Sequence, residues 1–502
     1  MGDGIAMPTR RQLLKGIAAA GGVLAVPVGS TYAFLHRPAA QPAALPPLHH
    51  HGGIQQVDYT KGGTPVTPAP FQVAMPIPPV LAPVARSVTT DYYRMTVRAA
   101  TTELLPGKQT PVLTFEGAFP GPTIQAKSNR RTVITQVNQL TEPISVHLHG
   151  GVVDPANDGD PMDTIAPGAS RDYTYENKQV AASLWYHDHA HHLESEHVYR
   201  GMAGMYLLCD DNEASLGLPS GAYDVPLTIR DVGISADGAL IYEDDFNSRP
   251  TILVNGKPQP YFKVAARRYR FRLLNASNLR PFSFRLSTGG TFQQISTDRG
   301  LLPAPIPMTD LALSPGERAD IVVDFAAYPV GTSIVLQNTL FPVDTTKEIM
   351  RFDVVRTATD TSRVPAKLAT LPAMAAATIT RDFELHMDDA AGLYLINGKE
   401  YDPARVDTSV RWGATEIWQI RNVDPIPHDF HIHLVDFRVL DVNGVAPVIG
   451  KTALKDTVAV MPGETARILV TFNFPYAGRY PYHCHLMDHS SAGMMGQLEI
   501  LR

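Results

Sequence analysis

The chain has 502 residues, of which 44% are hydrophobic and 18% charged, with 42 prolines, 38 glycines and a formal net charge of -6. That length exceeds one ordinary core and allows about three domains of ~150 residues each, while the proline and glycine content indicates a soluble, turn-rich β protein. The modest negative charge carries no basic footprint, which excludes nucleic acid as a partner and leaves neutral or cationic small molecules open.

The chain opens with "TRRQLLKGIAAAGGVLAVPVGSTYA", in which Arg10 and Arg11 precede an Ala/Gly-rich apolar run. A charged start, an apolar centre too short for a membrane span and a small-residue end predict a twin-arginine export signal over residues 1–33. The twin-arginine translocase is then a partner, the location is periplasmic or extracellular, and no stable membrane span remains after cleavage. Residues 34–70 read as a Pro-rich tether in which His49, His50 and His51 are solvated.

Three segment types then recur. "EGAFPGPTI", "NGKPQPYF" and "NGKEYDPAR" each place a glycine turn before a proline-containing strand. Strands ending at Asn138, Asn275 and Asn422 follow, and then Pro-Gly turns at Pro167, Pro315 and Pro462, spaced 148 and 147 residues apart. A repeat that long is a domain. The expected fold is all-β, with three related Greek-key β-sandwiches at 71–212, 222–357 and 378–502. The stretch "TATDTSRVPAKLATLPAMAAAT" marks the second boundary.

Histidine breaks the threefold pattern, because the middle repeat has none. Four His-x-His pairs occupy the outer repeats: His147/His149, His187/His189, His431/His433 and His483/His485. In a strand such a pair puts both imidazoles on one face, so eight imidazoles are available to one metal cluster. The last pair encloses Cys484, which alternation turns to the opposite face, so "HCH" can touch two metal sites at once. Thiolate with imidazole favours copper or zinc, and adding His489 and a methionine from "SAGMM" suits a His2Cys copper with a distant thioether, its second histidine coming from elsewhere in the chain. The other cysteine, Cys209, reads as a small buried residue, and no disulfide framework is present. His191, His192 and His197 are expected to be solvated or hydrogen-bonding, and His386 structural.

The segments "HLHG", "WYHDH", "HDFHIHLVDF" and "HCHLMDHSSAGMM", in this order over the whole mature chain, resemble the multicopper oxidases, the three-domain cupredoxin proteins that include laccases, bilirubin oxidases and bacterial cuprous oxidases. The likeness is specific at these segments and general in the middle repeat. It implies about four copper ions. His428, Cys484 and His489 would hold a type 1 copper with Met494 as its weak axial ligand, chosen over the adjacent Met495 by the family's spacing. A type 2 copper would take His147 and His431, and a type 3 pair would take His149, His187, His189, His433, His483 and His485. Asp158 resembles the family's acid near the dioxygen channel, whereas Ser490 stands where many bacterial laccases carry a second acid. The implied partners are dioxygen and a small-molecule or metal-ion reductant. The expected activity is one-electron oxidation of phenols, aromatic amines or similar reductants, with Cys484, His483 and His485 carrying electrons to dioxygen. Two other functions compatible with the fold are cuprous or ferrous ion oxidation and a copper-free scaffold role in cell division. The absence of a methionine-rich insertion speaks against a dedicated cuprous oxidase, and the complete ligand set speaks against a scaffold.

Overall fold

A computed structural model describes residues 63–502 apart from 244 and 341–343. Six β-sheets stack along the chain into three sandwiches. The export signal, His49 to His51 and residues 34–62 of the tether lie outside the described residues. Residues 66 to 81 run as a strap. Val66 and Phe71 donate backbone hydrogen bonds to Ile234 and Gln259 of the middle sandwich, and Leu81 donates to Thr123 of the first. A Pro-rich segment without hydrophobic alternation cannot form a sandwich strand of its own, so the regular strands of the first sandwich begin only at Ala85.

The repeated sequence segments build one corner three times. In each sandwich a parallel strand pair leads into it: Thr90–Thr102 with Arg131–Asn138, Asp224–Ile234 with Arg268–Asn275, and Ile379–Asp388 with Thr415–Asn422. The terminal asparagine of each pair is buried. Its side-chain NH2 donates to two carbonyls and its side-chain oxygen accepts the N–H two residues on, from Leu140, Ser277 and Asp424 respectively. Its backbone oxygen accepts from the glycine of the Pro-Gly turn, Gly168, Gly316 or Gly463. A buried amide must satisfy all its donors and acceptors, which is why asparagine, and no apolar residue, closes each corner.

Each sandwich has its own apolar core. Helix is confined, among the described residues, to short segments, and two of them, Glu194–Arg200 and Met487–Ser491, pack together at the junction of the first and third sandwiches. No described helix is long and apolar enough to cross a membrane. Buried ion pairs tie the middle sandwich to its neighbours. Arg270 and Arg272, with Asp224 and Asp320 of the same sandwich, meet Glu213 of the linking helix Asp211–Ser215, and Arg318 joins the Ser183 carbonyl of the first sandwich to Asp456 of the third. The first and third sandwiches are thereby brought together across their histidine-bearing sheets.

Candidate metal centre

All four His-x-His segments lie at strand ends. Val146–His149 pairs antiparallel with Ala182–Asp188, setting His147 opposite His187, and His428–Ile432 pairs with Gly478–Cys484, setting His431 opposite His483. His189, His433 and His485 each fall one residue beyond the last residue of their strands. They still lie beside their partners, with ring centroids 5.7 Å apart for His187/His189, 5.1 Å for His431/His433 and 5.5 Å for His483/His485. His489 sits on the short helix Met487–Ser491 rather than on an open loop. All twelve candidate ligands are at most 3% exposed.

Across the interface the rings interleave. His147 stacks on His433 with centroids 3.7 Å apart, and His149 on His431 at 3.8 Å. Nitrogens converge between them: His433 Nε2 lies 3.2 Å from His189 Nε2 and 3.3 Å from His483 Nε2, and His485 Nε2 lies 3.1 Å from His149 Nδ1. Among the described residues, three all-histidine sets here each hold their ligand atoms within 4.8 Å of one another, His147/His149/His187, His147/His431/His433 and His189/His433/His483, and a fourth set adds Asp456 to His149 and His431.

What orients the rings, His485 excepted, is the other nitrogen of each; the Nδ1 of His485 has no hydrogen-bond partner. Nδ1–H of His147 donates to the Asp158 carbonyl at 2.6 Å, that of His187 to the Asp188 carbonyl at 2.8 Å, that of His431 to the Asp456 carbonyl at 2.7 Å and that of His483 to the Cys484 carbonyl at 3.0 Å. His433 Nδ1 donates to Asp158 Oδ2 at 2.6 Å, and His189 Nδ1 meets Glu194. With Nδ1 so committed, Nε2 must carry the lone pair inward. His149 reverses the scheme: its Nε2 bonds Asp456 Oδ1 at 3.1 Å, and Nδ1 faces the cluster.

Burial, reinforced by the neighbouring imidazoles, holds His147, His149, His431, His433 and His485 well below the ordinary histidine pKa and brings His187 and His483 to about 3. These rings are therefore neutral, the form that binds a metal. His189 is the exception: burial opposes its charge, but the charge and hydrogen bond of Glu194 raise its pKa overall. The buried Nε2 atoms of His147, His187 and His431 have no hydrogen-bond partner. Inward lone pairs without donors are a poor protein core and a good cation site, and an all-imidazole set suits copper, zinc or iron.

A second group lies on the opposite face of the Cys484 strand. Cys484 Sγ is 3.5 Å from His428 Nδ1 and 3.7 Å from His489 Nδ1, and the two nitrogens are 3.1 Å apart. Burial and the nearby Asp429 raise the thiol pKa. Met494 belongs to the apolar cluster that contains Cys484, and its carbonyl accepts the Cys484 N–H at 3.0 Å. Met495 instead opposes His483 in the strand register and lies outside that cluster.

Several residues that the sequence reading did not single out hold this arrangement. Asp424 accepts from His428 Nε2 at 2.8 Å. Asp456, bound to His149, is clamped by two 2.7 Å hydrogen bonds from Arg318 of the middle sandwich. Glu194 joins His189 to the hydroxyl of Ser490. Only the repeat carried a signal for any of these, since Asp424 sits two residues after the corner Asn422 and its N–H is held by that side chain. His197 is buried between Asp188 and Glu142, at 3.0 and 2.9 Å, and these carboxylates outweigh burial to raise its pKa to about 9. His192 donates to the Ser491 carbonyl.

A family model described as multicopper oxidase matches residues 96–213, and a second with the same description matches residues 363–501. The chain is 37% identical to a laccase of Bacillus subtilis (strain 168), over 86% of this chain and 98% of that protein. It is 35% identical to a bilirubin oxidase of Albifimbria verrucaria, over 85% of this chain and 80% of that protein. Among solved structures, a laccase from Pediococcus acidilactici Pa5930 aligns with a TM-score of 0.81 at 32% identity, covering 89% of this chain and 97% of the other.

The middle sandwich reaches the cluster through its Pro-Gly turn. Gly316 has φ +82°, and a Cβ built there falls 2.8 Å from Nδ1 and Cε1 of His485. Gly316→Ala adds this clash to about 1–3 kcal/mol of backbone strain. Displacement of the His485 ring should lower the copper content of the eight-histidine cluster while the Cys484 site still fills. Copper counting with an absorption spectrum checks this, and a fully loaded Gly316→Ala protein would show that the turn does not constrain His485.

Proposed function

The chain belongs to the multicopper oxidase family, copper-dependent oxidoreductases that use dioxygen, and on that premise we propose that it is an exported, laccase-like oxidase of phenols, aromatic amines or similar small reductants. The observation that carries the reading is the placing of Cys484 within 3.7 Å of two imidazole nitrogens while its neighbours His483 and His485 belong to the eight-histidine cluster. In this reading His428, Cys484 and His489 hold the type 1 copper, with Met494 as the weak axial ligand. His147 and His431 hold the type 2 copper, and His149, His187, His189, His433, His483 and His485 hold the type 3 pair. Export rests on the twin-arginine segment and places the enzyme in the periplasm or outside the cell.

Bound copper supplies reversible one-electron chemistry, which matches four one-electron oxidations to the conversion of one dioxygen and four protons into two waters. The chain's own residues set the conditions. The Cys484 thiol, neutral in its apolar surroundings, gives up its proton when a metal binds. One peptide bond on either side joins it to His483 and His485, and the His483 Nδ1 hydrogen bond to the Cys484 carbonyl adds a second contact. Asp158 holds His433 through Oδ2, while its Oδ1, buried and without a hydrogen-bond partner, lies 3.6 Å from His147. Burial, with Asp160 and Asp154 nearby, raises its pKa well above the carboxylate range, so it can hold a proton beside the cluster. On the other side Glu194, donated by the first sandwich, stands against Ser490 and supplies in space the carboxylate missing at position 490.

Metal-ion oxidation would call for a free acidic or thioether group over His428 or His489. Asp424 is near His428, but its Oδ1 is taken by His386, and its Oδ2 by His428 and the Met387 N–H. Phenols and amines therefore remain the preferred reductants.

Copper-loaded protein should be blue and carry about four copper ions. Cys484→Ser should abolish the colour and leave about three, measured by absorption and metal analysis; a blue Cys484→Ser protein would move the type 1 site elsewhere.

Met494→Leu should raise the type 1 reduction potential and alter the blue spectrum, because a thioether weakly stabilises the oxidised ion, whereas Met495→Leu should cost only packing. Redox titration of both variants decides between them.

Asp158→Asn keeps an acceptor for His433 but removes the proton. Steady-state turnover with dioxygen limiting should fall by about a hundredfold, the lower range for general acid catalysis, while anaerobic reduction of the type 1 site stays fast. Unchanged turnover would assign Asp158 to the turn alone.

A further inference from the structure

Of the proposed type 1 ligands only His489 keeps a trace of exposure. His428 and Cys484 are fully buried, and His489 is 3% exposed beneath the Tyr394 ring, with centroids 5.0 Å apart. A reductant that does not reach that edge of His489 must pass its electron through at least one side chain. One hydrogen-bonded path from His428 does reach the surface: His428 Nε2 donates to Asp424 Oδ2 at 2.8 Å, and Asp424 Oδ1 accepts from His386 Nδ1 at 3.0 Å. The Asp424 side chain is 4% exposed and that of His386 is 43% exposed.

The path is held in place from several sides. Asp424 Oδ2 also accepts the Met387 N–H at 2.8 Å, and the Asp424 N–H donates to the corner asparagine Asn422 at 2.8 Å. The carboxylate is thus pinned between two histidines, one buried at the copper site and one open to water. Because His386 Nδ1 is the donor to Asp424, the lone pair of this exposed ring lies on Nε2. A histidine with one nitrogen oriented by a carboxylate and the other free is the arrangement of a general base.

We propose that His386 is where proton-releasing reductants, phenols above all, meet the protein. This rests on the laccase reading. The phenol O–H donates to His386 Nε2. On oxidation the O–H bond breaks and an N–H bond forms, so that His386 becomes an imidazolium, stabilised by the Asp424 carboxylate. The phenol loses one electron, which passes through Asp424 and His428 to the oxidised type 1 site, and a phenoxyl radical leaves. The imidazolium then returns its proton to solvent. Coupling the two transfers avoids a phenol radical cation, and a reductant that releases no proton has no need of His386.

The test uses copper-loaded parent, His386→Gln and His386→Phe under anaerobic conditions, following loss of the blue colour with a phenol and, separately, with ferrocyanide. Both variants should slow phenol oxidation at least about tenfold more than they slow ferrocyanide oxidation, a difference below the usual general-base contribution. The type 1 potential should not move. Independently, a phenol added to copper-free protein labelled with nitrogen-15 histidine should shift the His386 ring signals, identified by their loss in His386→Gln. Unchanged phenol rates, equal slowing of both reductants, or an unshifted His386 would overturn the proposal. A blue parent protein that oxidises neither reductant would overturn the laccase reading, and His386 with it.

Discussion

Imidazole lone pairs converge from two sandwiches onto one buried volume, and the surrounding structure exists to keep them there. Without a cation between them such groups are costly, about 1–3 kcal/mol for each buried polar atom left unsatisfied. Seven of the eight rings cannot turn away, because their outer nitrogens are committed to carbonyls or carboxylates. Metal binding removes that cost and so contributes to holding the first and third sandwiches together.

The middle sandwich, which has no histidine, shapes the centre from outside. Gly316 leaves no room for a Cβ beside His485, and Arg318 clamps the Asp456 that orients His149 and His431. Asn278 adds a third contact: its carbonyl accepts from Met487 at the start of the helix that carries His489, and its side-chain NH2 donates to Ser195 on the helix that carries Glu194. Asp488 then gathers Ser195, Tyr242 and Arg249, so all three sandwiches meet beside His489. A change in the middle sandwich can therefore disturb copper it never touches.

The two faces of the Cys484 strand separate the two halves of the chemistry. In the proposed function one face collects electrons at a thiolate packed in apolar surroundings, and the other delivers them to imidazoles at the domain interface. That separation costs no extra machinery, because strand alternation supplies it. The outer end of the path is less regular. It depends on Asp424, whose position follows from the corner asparagine that all three repeats share, so the same internal repeat that builds the fold also sets the orientation of His428.

The repeated corners, the three sandwiches and the donor residues were legible in the sequence because each is a short-range property. An asparagine at a strand end, a Pro-Gly turn and alternate residues on one face all follow from local backbone geometry. Element ends were less so: His189, His433 and His485 lie just past their strands, and His489 is on a helix, because loss of a pairing partner, and not the local residues, ends a strand.

What only the tertiary structure decided is which groups meet. His433 finds Asp158 across 275 residues, Ser490 finds Glu194 across 296 and Arg318 finds Asp456 across 138. His386, which from sequence reads as structural, owes its place in a surface path to Asp424, 38 residues on. Side-chain alternation is written into the covalent chain, so a sequence states which donors share a face. Two of the carboxylates that orient those donors, Asp158 for His433 and Asp456 for His149, arrive from another sandwich, where no spacing rule connects them and only packing brings them within hydrogen-bond distance.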